Sequence, residues 1–375
     1  MAKAIRVVHI IDSMDVGGAQ TQILNWFRTI DRKHCEMRLV CLREKGAFGE
    51  AIEKMGFPVV VMGKRSRVQV DMLFRLFRLL REWKPDVVHC TIFTANLWGR
   101  LAGFFAGAPV LITHEQSTVS LEKWYRKWID RALSWISYRI LTVSDDLRQR
   151  VIAEEKIAPD RVEVMYNAVD TQAIYEAGEK PLEAELPLPD DAEIIVGAVG
   201  RLEYRKDHIS LVQAAAKALK KEPRLAFVLV GEGPDRAKIE AEIARQKIES
   251  RFILLGERHD VPALLRRFDI YVLSSITEGL SLSILEAMSA SCAVVATRVG
   301  GNSELLDQGQ CGKLVEARDP DAMAEAILDL SKKNDERKRM AHAAQKRARE
   351  IFDIHPIVRS LEALYSRALR EKKFR

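Results

Sequence analysis

Glu278 and Glu286 bracket the stretch Glu-Gly-Leu-Ser-Leu-Ser-Ile-Leu-Glu, which follows the apolar run Ile270, Tyr271, Val272, Leu273 and leads into Leu285, Glu286, Ala287 and Met288. That order puts two carboxylates at the loop and first turns of a helix, with small residues between them. A helix start offers unpaired backbone N–H groups and a positive dipole end, which suit an anionic phosphate, while flanking carboxylates accept hydrogen bonds from sugar hydroxyls. A phosphate with two sets of hydroxyls describes a nucleotide sugar. Paired carboxylates taken alone would equally suggest hydrolysis of a glycosidic bond.

Other residues of chemical interest fall where apolar runs end. Gly200, Arg201, Leu202, Glu203, Tyr204, Arg205, Lys206 and Asp207 close one such run, so Arg201 and Lys206 can neutralise charge building on a departing diphosphate; the alternative is a solvated basic loop. Gly17-Gly18 follows the first run and precedes a helical pattern, where amides free of Cβ interference can approach a phosphate, although a tight turn needs glycine in any case. Gly231-Glu232-Gly233 has the same standing and lacks the third glycine of a dinucleotide fingerprint. His114 ends the run Val110, Leu111, Ile112, Thr113 and is expected to face a ligand cleft, against the alternative of a structural histidine. Glu304, after Gly300, Gly301, Asn302 and Ser303, reads as a helix-start residue.

The elements that must hold these residues alternate short apolar runs with amphipathic segments, the pattern of a parallel sheet covered by helices. In the first half, strands are expected at 5–11, 37–42, 59–62, 87–90, 110–113 and 140–143, with helices at 19–30 and 71–83 among others. Periodicity is lost after Val169-Asp170, and 179–193 carries Pro181, Pro187 and Pro189 among acidic residues, the composition of a linker. The alternation then restarts with strands at 194–199, 226–230, 252–255, 270–273 and 293–296 and helices at 209–220, 236–246, 261–268, 283–289 and 303–307. The expected architecture is α/β, with two doubly wound Rossmann-like domains facing a central cleft: 1–175, a linker at 176–193, and 194–354. The charged helical tail 335–375 keeps an apolar stripe (Ile357, Leu361, Leu364, Tyr365, Leu369) that needs a partner, so its end, about 355–375, is expected to cross back onto the first domain.

At 375 residues and 47% hydrophobic content the chain can bury two cores. No apolar run is long enough to span a bilayer and the N-terminus does not resemble a signal peptide, so a cytoplasmic location is expected. Five scattered cysteines (Cys35, Cys41, Cys90, Cys292, Cys311) suggest neither a disulfide framework nor a zinc site. The net charge of +6 lies entirely in residues 1–175, with 26 Lys and Arg against 20 Asp and Glu. Uniform basicity would point to nucleic acid; basicity confined to one half points instead to an anionic surface or acceptor. Trp124, Tyr125, Trp128 and Trp135 interleave with Lys123, Arg126, Lys127 and Arg131, and the basic stretch 64–84 carries Arg75, Arg78 and Arg81. Such faces fit a peripheral contact with an anionic membrane, or equally a buried aromatic face with a wet basic edge.

Taken in order, Gly17-Gly18, Pro85-Asp86-Val87-Val88-His89, Val143-Ser144, Asn167-Ala168-Val169-Asp170, Gly200-Arg201-Leu202, Gly231-Glu232-Gly233-Pro234, the two-glutamate segment, and Gly300-Gly301 with Glu304 resemble the retaining glycosyltransferases of family 4, which have the two-domain GT-B fold. The resemblance covers essentially the whole chain. It implies that Glu278 binds the donor sugar's hydroxyls, that amides of Gly279, Leu280, Ser281, Leu282 and Ser283 hold sugar and phosphate, and that Glu286 holds the ribose. It further implies that Arg201 and Lys206 grip the diphosphate, with Gly231 beside the donor. Gly17 and Gly18 would line the phosphate and acceptor side, and His114 would border the donor sugar. A nucleotide diphosphate sugar, UDP- or GDP-linked, would be the co-substrate, with no metal and no other cofactor. The acceptor would be a glycan or a lipid-linked sugar. Ser281 and Ala168 stand where many members have glycine, so the Ser281 hydroxyl is expected near the donor sugar. The rival expectations are epimerisation or hydrolysis of a nucleotide sugar on a related two-domain fold, and a non-catalytic nucleotide-binding subunit.

Overall fold

The computed structural model describes residues 4–64, 70–117 and 123–373. The chain divides into two compact units, Met1–Ala168 with Ile354–Arg375, and Val169–Asp353. Arg65 and Arg67 of the basic stretch lie outside the described residues.

Unit 1 is built on seven parallel strands: β1 (Ile5–Ser13), β2 (Cys35–Glu44), β3 (Val59–Val61), β4 (Val87–Thr91), β5 (Val110–Glu115), β6 (Arg139–Thr142) and β7 (Val162–Val164), in the order β3-β2-β1-β4-β5-β6-β7. The order reverses between β1 and β4, which is where open α/β sheets leave a crevice at their carboxyl ends. Successive residues of β1 serve opposite faces. Val7 and Ile11 pack with Ile23, Trp26 and Phe27 of helix Gly18–Thr29 and with Val358 and Leu361 of helix Ile354–Lys373. Val8 and Ile10 pack with Met72, Leu76 and Leu80 of helix Val70–Trp83 and with Ala95 and Trp98 of helix Phe93–Ala106. Both faces are covered, which is why these strands read as nearly continuous apolar runs.

Unit 2 repeats the plan with six parallel strands: β8 (Ile194–Val199), β9 (Leu225–Val230), β10 (Phe252–Gly256), β11 (Ile270–Leu273), β12 (Ala293–Thr297) and β13 (Lys313–Val315), ordered β10-β9-β8-β11-β12-β13. The two parallel sheets with their helices are the architecture expected from the alternation. Two strands went unread, β7 and β13, each three residues long and at a sheet edge. Three residues carry too little periodicity to stand out from a loop.

The Pro-rich stretch 179–193 is irregular but not loose. Its acidic residues are tied to unit 2: Glu183 N donates to Asp260 Oδ2 at 2.7 Å, Arg251 meets Asp191 at 2.7 Å, and Arg266 meets Glu179 at 3.3 Å. The chain passes between units at Ala168/Val169 and Asp353/Ile354. The charged tail, read as one helical segment, is two helices, Asn334–Ile351 in unit 2 and Ile354–Lys373 in unit 1, broken at Phe352-Asp353. The Asp353 carboxylate accepts the Thr171 hydroxyl at 2.6 Å. Beyond the break the apolar stripe finds its partner on unit 1, where Val358, Leu361, Leu364, Tyr365 and Ala368 are buried. All five cysteines are free and buried, as expected of small apolar residues.

Candidate functional site

The carboxyl ends of β8 and β11 meet in unit 2. β11 runs straight into Ser274, Ser275 and the Glu278 loop, and β8 into Arg201 and the single 3-10 turn Tyr204–Lys206. The two ends are fastened together by backbone and hydroxyl: Ile276 N donates to Arg205 O at 2.8 Å, and Ser274 Oγ to Lys206 O at 2.7 Å. That clamp sets Lys206 Nζ 2.7 Å from Glu278 Oε1, and the Ser275 hydroxyl donates to the same oxygen at 2.6 Å. Both charged side chains keep some exposure, 21% for Lys206 and 13% for Glu278, so the pair is held yet reachable. Arg201 is 65% exposed, 3.8 Å from Glu203, and free to swing toward an anion.

Immediately after Glu278, helix Leu282–Ser289 begins. Ser281 is its N-cap, its hydroxyl accepting from Ile284 N at 3.4 Å and lying 3.1 Å from Ser283 Oγ. The hydroxyl expected near a sugar is therefore used by the helix start, and Ser281 itself is buried. The Leu280 and Leu282 side chains are buried too. Glu286 lies one turn into the helix, half-buried, and burial raises its carboxyl to about 7.

Glycine is obligatory at two points of this frame. Gly300 has φ +50, and a Cβ there would fall 2.2 Å from Glu278 O; the neighbouring Gly301 N donates to Gly279 O at 2.8 Å. Gly231, at φ +135, would place a Cβ 2.0 Å from Gly200 O. Gly231 thus brings the end of β9 against the end of β8. Thr297 Oγ1 donates to Ser275 O at 2.6 Å, and Asn302 Nδ2 to Thr297 O at 2.9 Å, so the end of β12 braces the Glu278 loop from behind. Sequence reasoning missed Ser274, Ser275, Thr297 and Asn302. Their one signal is a polar residue directly after an apolar strand, a pattern shared with many ordinary loops.

Unit 1 presents its expected site residues differently. Gly17 caps helix Gly18–Thr29 without a side-chain acceptor, and its φ of −179 is open to any residue. A Cβ on Gly18 would meet nothing within 4 Å. Space beside this turn is open, but the backbone does not demand glycine there. His114 does not face open space: it is fully buried, stacked on Trp26 (centroids 5.4 Å, planes at 18°) and on His89 (5.7 Å, 14°). His9 and His89 join the stack at 4.7 Å, with His9 Nε2 3.0 Å from the Thr91 hydroxyl and His89 Nδ1 2.8 Å from Tyr365 OH. Desolvation drives His9 and His114 down to about 3, and His89 well below its ordinary value. His114, expected to follow the strand and face a ligand cleft, lies inside β5, which runs on to Glu115, and packs under helix Gly18–Thr29 against Trp26.

The aromatic and basic face of helix Trp124–Ser134 resolves the other open alternative. Trp124, Trp128 and Trp135 are 73%, 64% and 79% exposed, so they do not form a buried face. Arg131 lies 5.7 Å over Trp128, and Arg161 5.9 Å over Trp135. Phe74, Phe104 and Phe105 are exposed on the neighbouring helices, where Leu73, Phe74, Phe77, Ala102 and Phe105 line an apolar groove. No helix among the described residues is long and apolar enough to cross a membrane.

Comparison with known proteins agrees with this geometry. Residues 16–173 match the family described as Glycosyltransferase Family 4, and 180–347 match Glycosyl transferases group 1. The UDP-Gal:alpha-D-GlcNAc-diphosphoundecaprenol alpha-1,3-galactosyltransferase of Escherichia coli is 25% identical over 342 residues, 87% of this chain and 88% of that protein. The N-acetylgalactosamine-N,N'-diacetylbacillosaminyl-diphospho-undecaprenol 4-alpha-N-acetylgalactosaminyltransferase of Campylobacter jejuni is 28% identical over 364 residues, 93% and 96% of the two chains. Among solved structures, Anabaena HepE in complex with UDP superposes with a TM-score of 0.84 at 21% identity, covering 96% of this chain and 100% of that one. The same protein in complex with UDP-glucose gives 0.81. The fold is GT-B.

Proposed function

Because this chain belongs to glycosyltransferase family 4, we propose that it moves a hexose-type sugar from a nucleotide diphosphate sugar, UDP- or GDP-linked, to a glycan or lipid-linked acceptor with retention of anomeric configuration, in synthesis of a cell-surface polysaccharide or glycolipid. The observation that carries this reading is the Lys206–Glu278 pair, fastened by Ser274 and Ser275 directly before the capped start of helix Leu282–Ser289. A fixed cation beside a hydroxyl-accepting carboxylate, followed by backbone amides, matches a sugar diphosphate group by group.

In this reading unit 2 takes the donor, and the Gly17-Gly18 turn of unit 1 lines the acceptor side. Glu278 accepts from the transferred sugar's hydroxyls, and amides of Gly279, Leu280, Ser281, Leu282 and Ser283 hold sugar and phosphate. Glu286 accepts from the ribose, and the Gly231 turn lets the donor lie close to the backbone. Arg201 and Lys206 stabilise the diphosphate as the bond from the anomeric carbon to the phosphate oxygen breaks. The acceptor oxygen attacks the same face, and its proton passes to the leaving phosphate oxygen. In this reading Glu278 is not a nucleophile, and the Lys206 and Ser275 bonds to its Oε1 hold it in place for the sugar. The α linkages in the names of the two relatives support retention, because common nucleotide hexoses are themselves α-linked. UDP-Gal in one name, and UDP-glucose in HepE, support a UDP sugar. Gly18 leaves room for the acceptor, and Gly17 lies against the Gln20 side chain beside it. His114 is sealed behind Trp26 and His89 and takes no part in proton transfer.

The lipid-linked acceptor is supported by both relatives' names and by the exposed tryptophans with their arginines. Such a face suits a peripheral position on the anionic inner surface of the cytoplasmic membrane, each basic residue there adding about 1 kcal/mol. Incubation with UDP, GDP and ADP sugars and a polyprenyl-diphosphate-linked sugar, read by mass spectrometry, should give one glycosylated product from one donor. Rapid isomerisation of a donor without acceptor would replace this reading with an epimerase. An inverted anomeric centre in the product NMR spectrum would remove retention.

A further inference from the structure

Among the large apolar side chains of unit 2, Tyr204 and Ile351 are exposed. Tyr204, at 68% exposure, opens the 3-10 turn that ends in Lys206, so an open aromatic ring stands two residues from the cation paired with Glu278. Its backbone is fixed, because Arg205 O and Lys206 O are both clamped to the end of β11. Its hydroxyl is fixed as well: Arg318, from the loop after β13, donates Nη2 to Tyr204 Oη, with the guanidinium 5.8 Å from the ring centroid. Arg318 adopts φ +61, a conformation unfavourable for a side-chain-bearing residue. A lone exposed tyrosine needs no explanation. A tyrosine held at both ends, with its ring surface left open beside the reacting groups, is a preformed platform.

We infer that Tyr204, held by Arg318, is the platform on which the acceptor's terminal sugar stacks, and that it sets acceptor specificity. This inference rests on the proposed transferase reading. Pyranose rings present a face of C–H groups that packs on an aromatic ring, while the guanidinium and tyrosyl oxygen meet hydroxyls at the rim. The position favours the acceptor over the nucleotide base. The assigned donor residues run along the ends of β9, β8 and β11 (Gly231, Arg201, Lys206, Glu278), whereas Arg318 comes from β13, two strands beyond β11 on the side away from β9. The contact with Arg318 ties the Tyr204 hydroxyl to the β13 side, which this inference takes as the sugar end of the diphosphate. Tyr204 is a positioning residue for the acceptor and takes no part in bond breaking.

The test uses the full chain saturated with UDP and a panel of octyl α- and β-glycosides of glucose, galactose, mannose and N-acetylglucosamine, titrated calorimetrically. At least one glycoside should bind the wild-type complex. Tyr204→Ala should weaken it about tenfold, the upper range for one aromatic contact, while Tyr204→Phe, which keeps the ring, should stay within about threefold. UDP affinity should be unchanged in both variants. No glycoside binding to the wild-type complex, equal binding by Tyr204→Ala, or a loss of UDP affinity in Tyr204→Ala would each overturn the inference, the last making the ring a base platform. Failure of the transferase reading looks different: the wild-type chain would neither bind UDP nor release sugar from any donor.

Discussion

The two sheets share a plan but treat the polar residues at their carboxyl ends in opposite ways. In unit 2 the strand ends form a partnered and reachable set, Lys206 with Glu278 and Ser275, braced by Thr297 and Asn302. In unit 1, His9, His89 and His114 are walled in with Trp26 and Tyr365. A charge can be kept ready for a ligand only where water still reaches it, whereas full burial leaves a histidine neutral and makes it part of the packing. Unit 2 keeps a cation and a carboxylate paired and within reach of solvent. Unit 1 buries one ion pair, Arg100 with Asp130, and carries arginines against exposed tryptophans at its surface.

The strongest way to break this comparison is at the pair itself. Glu278→Ala or Lys206→Ala should lower kcat about a hundredfold or more, as for loss of one preorganised electrostatic group, with an unchanged circular dichroism spectrum. A comparable loss from His114→Leu with stability intact would mean that the buried stack, and not unit 2, carries the chemistry. Next comes the frame: Gly300→Ala meets Glu278 O and a positive φ together, so it should cost about 1–3 kcal/mol in chemical denaturation and about tenfold in activity.

The histidine stack predicts a pH effect of definite sign. With folded-state values near 3 for His9 and His114 against 6.5 in an unfolded chain, the unfolded state binds more protons between those limits. Stability is full above about 6.5 and is lost as pH falls toward 3, by about 1.4 kcal/mol per pH unit for each histidine. Melting curves from pH 7 to pH 5 should therefore slope downward, and His114→Leu should flatten the slope. A slope unchanged by that substitution would show that another group carries it. The smallest expected effect is at Glu286. Its carboxyl is raised to about 7, and ribose hydroxyls need the ionised form as acceptor, so UDP affinity should rise several-fold from pH 6 to pH 8. Glu286→Gln should abolish that rise.

Much of the frame was legible in the residues. Nearly continuous apolar runs such as Val87-Val88 and Ile270–Leu273 mark buried parallel strands, and the order of motifs marks the family. Glu278, Glu286, Arg201 and Lys206 could be singled out because each follows a readable strand or opens a readable helix. Ser275, Thr297 and Arg318 could not, since their roles depend on which strand ends become neighbours. The Ser281 hydroxyl was expected near the donor sugar, and its part in capping the helix start became visible only in the structure.

The sequence by itself determined the strands, the helices and the residue types at their ends, because apolar periodicity and glycine placement are local properties. Tertiary structure decided which polar groups stay reachable. Lys206, in the turn beyond β8, keeps contact with solvent, whereas His114, still inside β5, is sealed. What separates them is cover from helices distant in the chain, above all Ile354–Lys373 in unit 1, and local pattern does not encode that.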